Sequence, residues 1–313
     1  MISIIIPTYN TEAHLSHLFS CLQAQSFRDF EVLLINDGST DQSGKFCEEI
    51  VCADARFRYL PQENSGVSAA RNRGIQASRG EYITFLDADD EIPADYLKVL
   101  LTALENSHAQ MSVCDVTVIE NGKEVNRFSC SQQLSQKEAL EHILSRRYIN
   151  SGPYAKLFRR DLLQQVSFPP LKAYEDILFV VDAVCRCSDI AATSDTEYRY
   201  VQNQSGAMSS FLKLPSTDII AATDQLLVFL KGRPELDPYC TYITASHLMQ
   251  YVQALLPMHN PQANTFLRSA QNLFRKHLLS IVTCHAFPRK EKALFALFGF
   301  GWVYHEKKLS KLR

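Results

Sequence analysis

Three acids close the apolar run in "EYITFLDADD": Asp87, Asp89 and Asp90. Carboxylates this close repel one another unless positive charge sits between them. A hard divalent cation supplies that charge, because Mg²⁺ and Mn²⁺ prefer oxygen ligands, and Mg²⁺ often binds one or two carboxylates plus substrate phosphates. If strand geometry persists through the acids, Asp87 and Asp89 share a face and Asp90 points the other way. The competing role is an N-cap by Asp89 or Asp90 on a helix starting near Pro93. A cap needs one acid and the chain has three, which favours a metal–diphosphate site.

Three other stretches have functional group types at suggestive spacing. "NDGSTD", Asn36 to Asp41, ends an apolar run. Its residues suit a turn or a cap, but they also suit a ligand loop at the carboxyl end of a parallel strand. In "NSGVSAARNRG", Arg71 and Arg73 precede Gly74. The guanidinium fork suits phosphate, and a helix start at Ser65 and Gly66 offers free backbone N–H groups to an anion. The small residues there also allow close packing on a sheet. In "KAYEDILFVVDAVCRC", Glu175 and Asp176 fall in the first turn of a helix, where acids offset the dipole in any case.

The elements that must carry these residues alternate. "SIIIP", "FEVLLIND", "RFRYLP" and "EYITFLD" read as strands. Between them lie helices from Thr11, a candidate cap, to about Gln25, from about Thr40 to Val51, and over "SGVSAARNRGIQAS". This order implies parallel pairing with right-handed crossovers. A helix follows over "IPADYLKVLLTALEN", then a hairpin turning at Asn121 and Gly122. From about Leu214 the chain reads mostly helical, with an internal boundary expected around Ser205 to Pro215.

At 313 residues, 46% hydrophobic and 21% charged, the chain is an ordinary folded protein of one large or two smaller domains. A formal net charge of -2 gives no pull toward nucleic acid. Nine scattered cysteines without zinc spacing predict reduced thiols and a cytoplasmic location. The start, "MISIIIPTYN", reads as a core strand rather than a signal peptide. "GSTDQSGK" has one residue too many for a P-loop, and Phe46 stands where Ser or Thr would bind magnesium.

Taken in order, "SIIIPTYN", "EVLLINDGSTD", "NSGVSAARNRGIQASRGEYITFLDADD" and "AYEDILF" resemble glycosyltransferase family 2, inverting enzymes of GT-A fold, here of the bacterial surface-polysaccharide type. The resemblance is ordered over Met1 to about Tyr96, looser to about Ser210, and general in the tail. It implies an α/β GT-A fold with a mostly parallel twisted sheet and a helical C-terminal region. The catalytic domain would span 1–210, with a nucleotide-binding half over about 1–96 and an acceptor half over about 97–210. Residues 211–313 would form the helical region with its basic amphipathic tail.

The resemblance also implies a reaction: transfer of a hexose or N-acetylhexosamine from a UDP-sugar to a hydroxyl on a lipid-linked glycan, assisted by Mn²⁺ or Mg²⁺. Pro7, Thr8, Tyr9 and Asn10 would line the base and ribose. Asp37 would accept from the uracil imide N–H, which sits between two carbonyls and needs an acceptor flanked by donors. Gly66, Arg71, Asp87 and Ala88 would complete the nucleotide site, with Asp87 on the ribose and Asp89 on the metal. Inversion needs a base away from the metal. Adjacent helical residues diverge, so at most one of Glu175 and Asp176 reaches the acceptor. In the family it is the Asp, hence Asp176, with Glu175 supporting the site. Lys156 in "AKLFRRDLL" either lines the site or sits on a surface helix. Val201 departs from the family, which often has Arg or His after the second Tyr of "YRY".

The tail "RKEKALFALFGFGWVYHEKKLSKLR" has an apolar core too short to span a bilayer, flanked by basic residues and holding Trp302. It reads either as an interfacial helix making peripheral membrane contact over 289–313 or as a packed helix with a solvated basic end. Oligomerisation through the helical region is a further expectation. Two other function classes stay open at this point: a sugar nucleotidyltransferase, and a non-catalytic binding subunit that keeps only the fold.

Overall fold

The computed structural model describes residues 1–202, 218–255, 268, 271, 272, 275, 278–283 and 288–299. The chain divides into two units, Met1–Asn203 and Gln204–Arg313. The first is built on one mixed sheet. Strands β1 (Ile2–Thr8), β2 (Phe30–Asp37), β3 (Phe57–Gln62) and β4 (Tyr82–Phe85) pair in parallel, in the order β3-β2-β1-β4. Helices α1 (Glu12–Gln23), α2 (Ser43–Ala53) and α3 (Val67–Ala77) make the crossovers. Every residue of β2 is buried, as a strand covered on both faces must be. Leu15, Leu18 and Leu22 form the buried stripe of α1, and Phe19 meets Phe57 edge-on at 5.2 Å.

Beyond helix α4 (Tyr96–Ser107) the direction changes. Strands β5 (Met111–Glu120) and β6 (Lys123–Phe128) form the hairpin, with Asn121 at φ 51° and Gly122 at φ 73°. Positive φ at both central positions is what a tight hairpin turn requires. Then come β7 (Gln133–Ser135), α5 (Gln136–Ser145), β8 (Lys156–Arg159), α6 (Glu175–Cys185) and β9 (Asp189–Gln202). The sheet continues β4-β8-β5-β9-β7, with β6 also on β5. Strand β8 is antiparallel to both β4 and β5, and β9 is parallel to β5.

Several boundaries move from their expected places. Thr11 stands at the N-cap position of α1 but makes no cap bond, and its Oγ1 is buried without a partner. Helix α2 begins at Ser43 rather than Thr40, because the Thr40 N–H and hydroxyl both donate to Asn10 Oδ1. Helix α4 begins at Tyr96 rather than Pro93. The carbonyls of Pro93 and Ala94 accept from Gln25 Nε2 and the Ser26 N–H, which holds the preceding segment out of the helix.

In the second unit, α7 (Asp218–Phe229) packs on α8 (Asp237–Leu255), with Thr223 Oγ1 3.0 Å from Thr244 Oγ1, and Ala222, Leu226, Ile243 and Leu248 are buried. Two further helices, α9 (Leu278–Thr283) and α10 (Arg289–Gly299), follow. No helix among the described residues is long and apolar enough to cross a membrane. The expected boundary at Ser205 to Pro215 and the tail residues beyond Gly299, Trp302 included, lie outside the described residues. The eight cysteines described are all free.

One glycine fixes where α3 lies. A Cβ on Gly74 would stand 2.3 Å from Ile5 Cγ2, inside a fully buried stretch of β1. Alanine gains at most about 1 kcal/mol in helix propensity, whereas overpacking a core typically costs about 1–3 kcal/mol. Gly74→Ala is therefore expected to lower stability by about 1–2 kcal/mol, read as a lower urea midpoint at unchanged slope.

Candidate active site

The turn after β4 meets the start of α6 in an acidic centre joined by Arg71 of α3. At the carboxyl ends of β1 and β2 lies a polar seam between two loops. Asn10, at φ 53°, accepts from Thr40 on Oδ1 and donates its N–H to Ser39 Oγ. The Thr11 N–H donates to Ser43 Oγ, and the Gln42 N–H to Glu12 Oε2 at 2.7 Å. Asn36 turns "NDGSTD" on itself by accepting the Ser39 N–H, while Gly38 takes φ 71°. Tyr9 stands 49% exposed beside this seam, with Thr8 buried and Pro7 half-buried.

Asp37 is buried and already holds a loop. Its Oδ1 accepts from Gln62 Nε2 at 2.7 Å and the Ser65 N–H at 2.8 Å, and its Oδ2 from the Gly66 N–H at 2.8 Å. A carboxylate has about four acceptor sites, so one is left for a ligand donor. The same bonds use the N–H groups of Ser65 and Gly66, which the sequence offers to an anion. Gly66, at φ 88°, makes this approach with backbone that other residues rarely adopt.

The acids after β4 do not continue the strand. The Asp90 N–H donates to the Asp87 carbonyl at 3.3 Å, which makes 87–90 a turn with Ala88 buried inside it. Strand geometry thus ends at Phe85, before the acids, and neither Asp89 nor Asp90 caps a helix. Asp90 is buried and accepts from the Tyr198 hydroxyl at 2.6 Å and the Val201 N–H at 2.8 Å. The Tyr198 hydroxyl also accepts the Asp87 N–H at 3.2 Å. Asp90 thus ties the turn to the end of β9. Tyr154 stacks on Tyr198 at 4.8 Å and on Tyr200 at 5.3 Å, forming an aromatic layer next to the turn.

Arg71 joins this turn to α6. Its guanidinium, 4% exposed, donates to Asp87 Oδ1 at 3.0 Å, Asp176 Oδ1 at 2.6 Å and Glu175 Oε1 at 3.4 Å. Its Nε is buried without a partner. Arg71, expected on phosphate, is engaged by carboxylates. The next residue, Asn72, makes two bonds to the backbone of Phe168, and the Phe168 ring lies 5.3 Å from the guanidinium and stacks on Phe179 of α6 at 3.8 Å. Arg73 turns away to the Pro61 carbonyl. Lys156 lies on β8 rather than on a surface helix, and it is 1% exposed.

Three acids on one guanidinium leave net negative charge in a buried place. Burial, then Asp176, pushes Glu175 up to about 8 despite Arg71. Burial also raises Asp176, with Arg71 opposing and Asp87 adding to the rise. Asp90 is pushed well up by burial and by Asp87. Such a centre fits a further cation. Among the described residues no three side chains of His, Cys, Asp or Glu could hold a metal by themselves. The half-buried Asp89 beside Asp87 fits the other arrangement, one or two carboxylates plus substrate phosphates.

The family description "Glycosyl transferase family 2" matches residues 3–167, more than half of the chain. The chain belongs to glycosyl transferase family 2. EpsH of Bacillus subtilis is 28% identical to this glycosyltransferase over 248 residues, 76% of this chain and 71% of EpsH. TarS of Staphylococcus aureus, a poly(ribitol-phosphate) beta-N-acetylglucosaminyltransferase, is 31% identical over 211 residues, and the chain spans 36% of its length. The structure of TarS 1–349 in complex with UDP-GlcNAc superposes with a TM-score of 0.71 at 21% identity, over 96% of this chain and 91% of that one. The mannosyltransferase PcManGT of Pyrobaculum calidifontis, in complex with GDP-Man and Mn²⁺, reaches 0.57 at 16% identity, over 99% and 82%. These neighbours establish the GT-A fold.

Tyr154 and Phe168 of this glycosyltransferase take part in the site without belonging to any of the sequence motifs above that point to chemistry, and Asn72 does so from between the two arginines of one of them. The spacing of "YAK" placed a tyrosine two residues before Lys156, and "YRY" repeats tyrosine on one strand face. Those were the available signals for the aromatic layer. A cavity of about 240 Å³ lined by Gln110, Asp161, Leu162, Gln165 and Arg186 lies elsewhere, where β4 begins and β8 ends.

The raised Glu175 makes stability depend on pH. Between its unfolded value, near 4.5, and about 8, the folded chain keeps a proton that the unfolded chain has released. Its contribution is full below the lower value and is lost as pH rises toward the upper one. Glu175→Gln should flatten the fall of the urea midpoint across that window. A variant that tracks the parent at every pH would refute the assignment.

Proposed function

We propose that this chain is an inverting glycosyltransferase that moves a sugar from a UDP-sugar to an acceptor hydroxyl, with Asp176 as the general base. The observation that carries the reading is the shared guanidinium: Arg71 holds Asp176, from α6, one side chain away from Asp87 of the turn after β4. The nucleotide side and the base side of a displacement are thereby adjacent. Asp176 is about a third exposed, so an acceptor hydroxyl can reach it, and burial raises its basicity, the direction a general base needs. The acceptor oxygen bonds to the anomeric carbon as its proton passes to Asp176, and the bond from that carbon to the diphosphate oxygen breaks on the opposite side. An α-linked donor then gives a β product.

The same reading assigns the seam. Tyr9 offers an exposed ring to the base, and the remaining acceptor site of Asp37 suits the uracil imide N–H. Asp87 takes the ribose, with Pro7, Thr8, Asn10, Gly66 and Ala88 shaping the pocket around it. Asp89 would hold Mn²⁺ or Mg²⁺ with the donor diphosphate, and the metal would supply charge to the departing UDP. Glu175, protonated at neutral pH, supports Asp176 without competing for the acceptor proton. Support for UDP comes from TarS, whose fold is shared and whose complex holds UDP-GlcNAc. A lipid-linked glycan acceptor, a catalytic domain over 1–210 and membrane contact over 289–313 belong to the same proposal.

The experiment is UDP release by the purified chain with Mn²⁺ or Mg²⁺ and a panel of UDP-sugars, with and without membrane extract. Release with one donor, stimulated by extract, is expected. Asp176→Asn and Asp89→Ala should each lose about 10²–10⁴-fold in turnover, with Asp176→Asn still binding UDP. Absence of both UDP binding and release with every donor would sink the UDP-sugar reading. Pyrophosphate release would point to nucleotidyl transfer instead.

A further inference from the structure

Lys156 is a buried strand residue whose neighbours Leu157 and Phe158 are fully buried apolar side chains. Taking an ammonium out of water costs several kcal/mol, so an apolar residue would be the cheaper choice there. Its partners among the described residues are backbone carbonyls rather than a carboxylate. Nζ donates to Asn150 O at 2.8 Å, Gly152 O at 2.6 Å and Tyr154 O at 3.3 Å. All three ammonium protons are therefore committed to a loop of five residues.

That loop ends at the acidic centre. Tyr154 is the tyrosine that stacks on both Tyr198 and Tyr200. Tyr198 in turn binds the Asp87 N–H and the Asp90 carboxyl. Ala155, between Tyr154 and Lys156, sits at φ 59°, a conformation that costs a non-glycine residue about 1 kcal/mol or more. Something must hold the loop in this shape, and the ammonium is placed to do so.

We propose that Lys156 is a positioning residue for sugar transfer: by gathering the carbonyls of Asn150, Gly152 and Tyr154 it fixes the tyrosine layer against the Asp87–Asp90 turn. This rests on the roles given above to Asp87 and Asp176. Lys156 also acts through its charge. Asp176 faces Arg71, Asp87 and Glu175 directly, with Tyr154 and Tyr200 near it, and the Lys156 ammonium adds to the positive field that keeps it ionised. Burial pushes that ammonium down to about 7, opposed by Cys114 and Asp176, while accepting carbonyls favour the protonated form.

The test compares the parent chain with Lys156→Met and with Lys156→Gln, which keeps two donors without the charge. The readouts are amide exchange, the urea midpoint, calorimetric affinity for UDP with Mn²⁺, and the pH profile of UDP release. For Lys156→Met, faster exchange is expected over 150–155 and 87–91, with UDP affinity within about threefold of the parent. Turnover should fall about 100-fold, the scale of a small misplacement of catalytic groups, and the acid limb of its profile should move up. Lys156→Gln should recover part of the loop protection but not the acid limb, and it serves for all readouts if Lys156→Met does not fold. Unchanged exchange would overturn the proposal, and so would a parallel loss of UDP affinity, turnover and urea midpoint. If the parent itself neither binds nor turns over any UDP donor, the transferase reading fails, while exchange still decides whether Lys156 holds the loop.

Discussion

Arg71 reaches Asp87 at 3.0 Å and Asp176 at 2.6 Å, acids that lie 89 residues apart in the chain. Nearly everything else in the acidic centre follows from holding that one guanidinium still. Gly74 lets α3 lie directly on β1, which sets the height of the helix above the sheet. Asn72 clasps the backbone of Phe168, and Phe168 stacks on α6, so the helix carrying Glu175 and Asp176 is drawn to the helix carrying Arg71. Removing one partner of such a buried cluster costs far more than any one of its bonds gains, because charge is then left uncompensated. The cluster therefore specifies one arrangement of the two helices more than it adds stability.

The centre is also deliberately under-neutralised. Glu175, Asp176 and Asp90 are all raised from their ordinary values, each chiefly through burial. Strained backbone lies beside them: Ala155 and Tyr174 both take positive φ. Tyr174 immediately precedes α6, so the strain lies next to the acids themselves. Strain and unbalanced charge of this kind cluster where a ligand is to be received.

What the sequence made legible was periodic or short-range. The alternation of strands and helices over the first 85 residues, the hairpin at Asn121 and Gly122, and the acids after β4 and at the head of α6 all followed from local pattern. What escaped it was decided by contacts between distant segments. Thr11 looked like a cap, yet the seam with α2 determines how α1 begins. Pro93 looked like a helix start, yet Gln25 captures its carbonyl. Lys156 looked like a surface lysine because nothing nearby in the sequence reveals that β8 is placed between two other strands. Arg71 read as a phosphate ligand on residue type alone, and only the fold shows the carboxylates that engage it.

The placement of β8 has a consequence for the order in which the protein can be made. Strand β5 leaves the ribosome some 40 residues before β8, yet β8 is what connects it to β4. During synthesis the parallel half, residues 2–85, can close on itself, while the β5–β6 hairpin must wait with an unpaired edge. Only when residues 156–159 emerge does one continuous sheet exist, and α6 follows them within a few seconds at ordinary translation rates. The acidic centre is therefore assembled late, and an unfinished nascent chain presents an open strand edge for chaperones to cover.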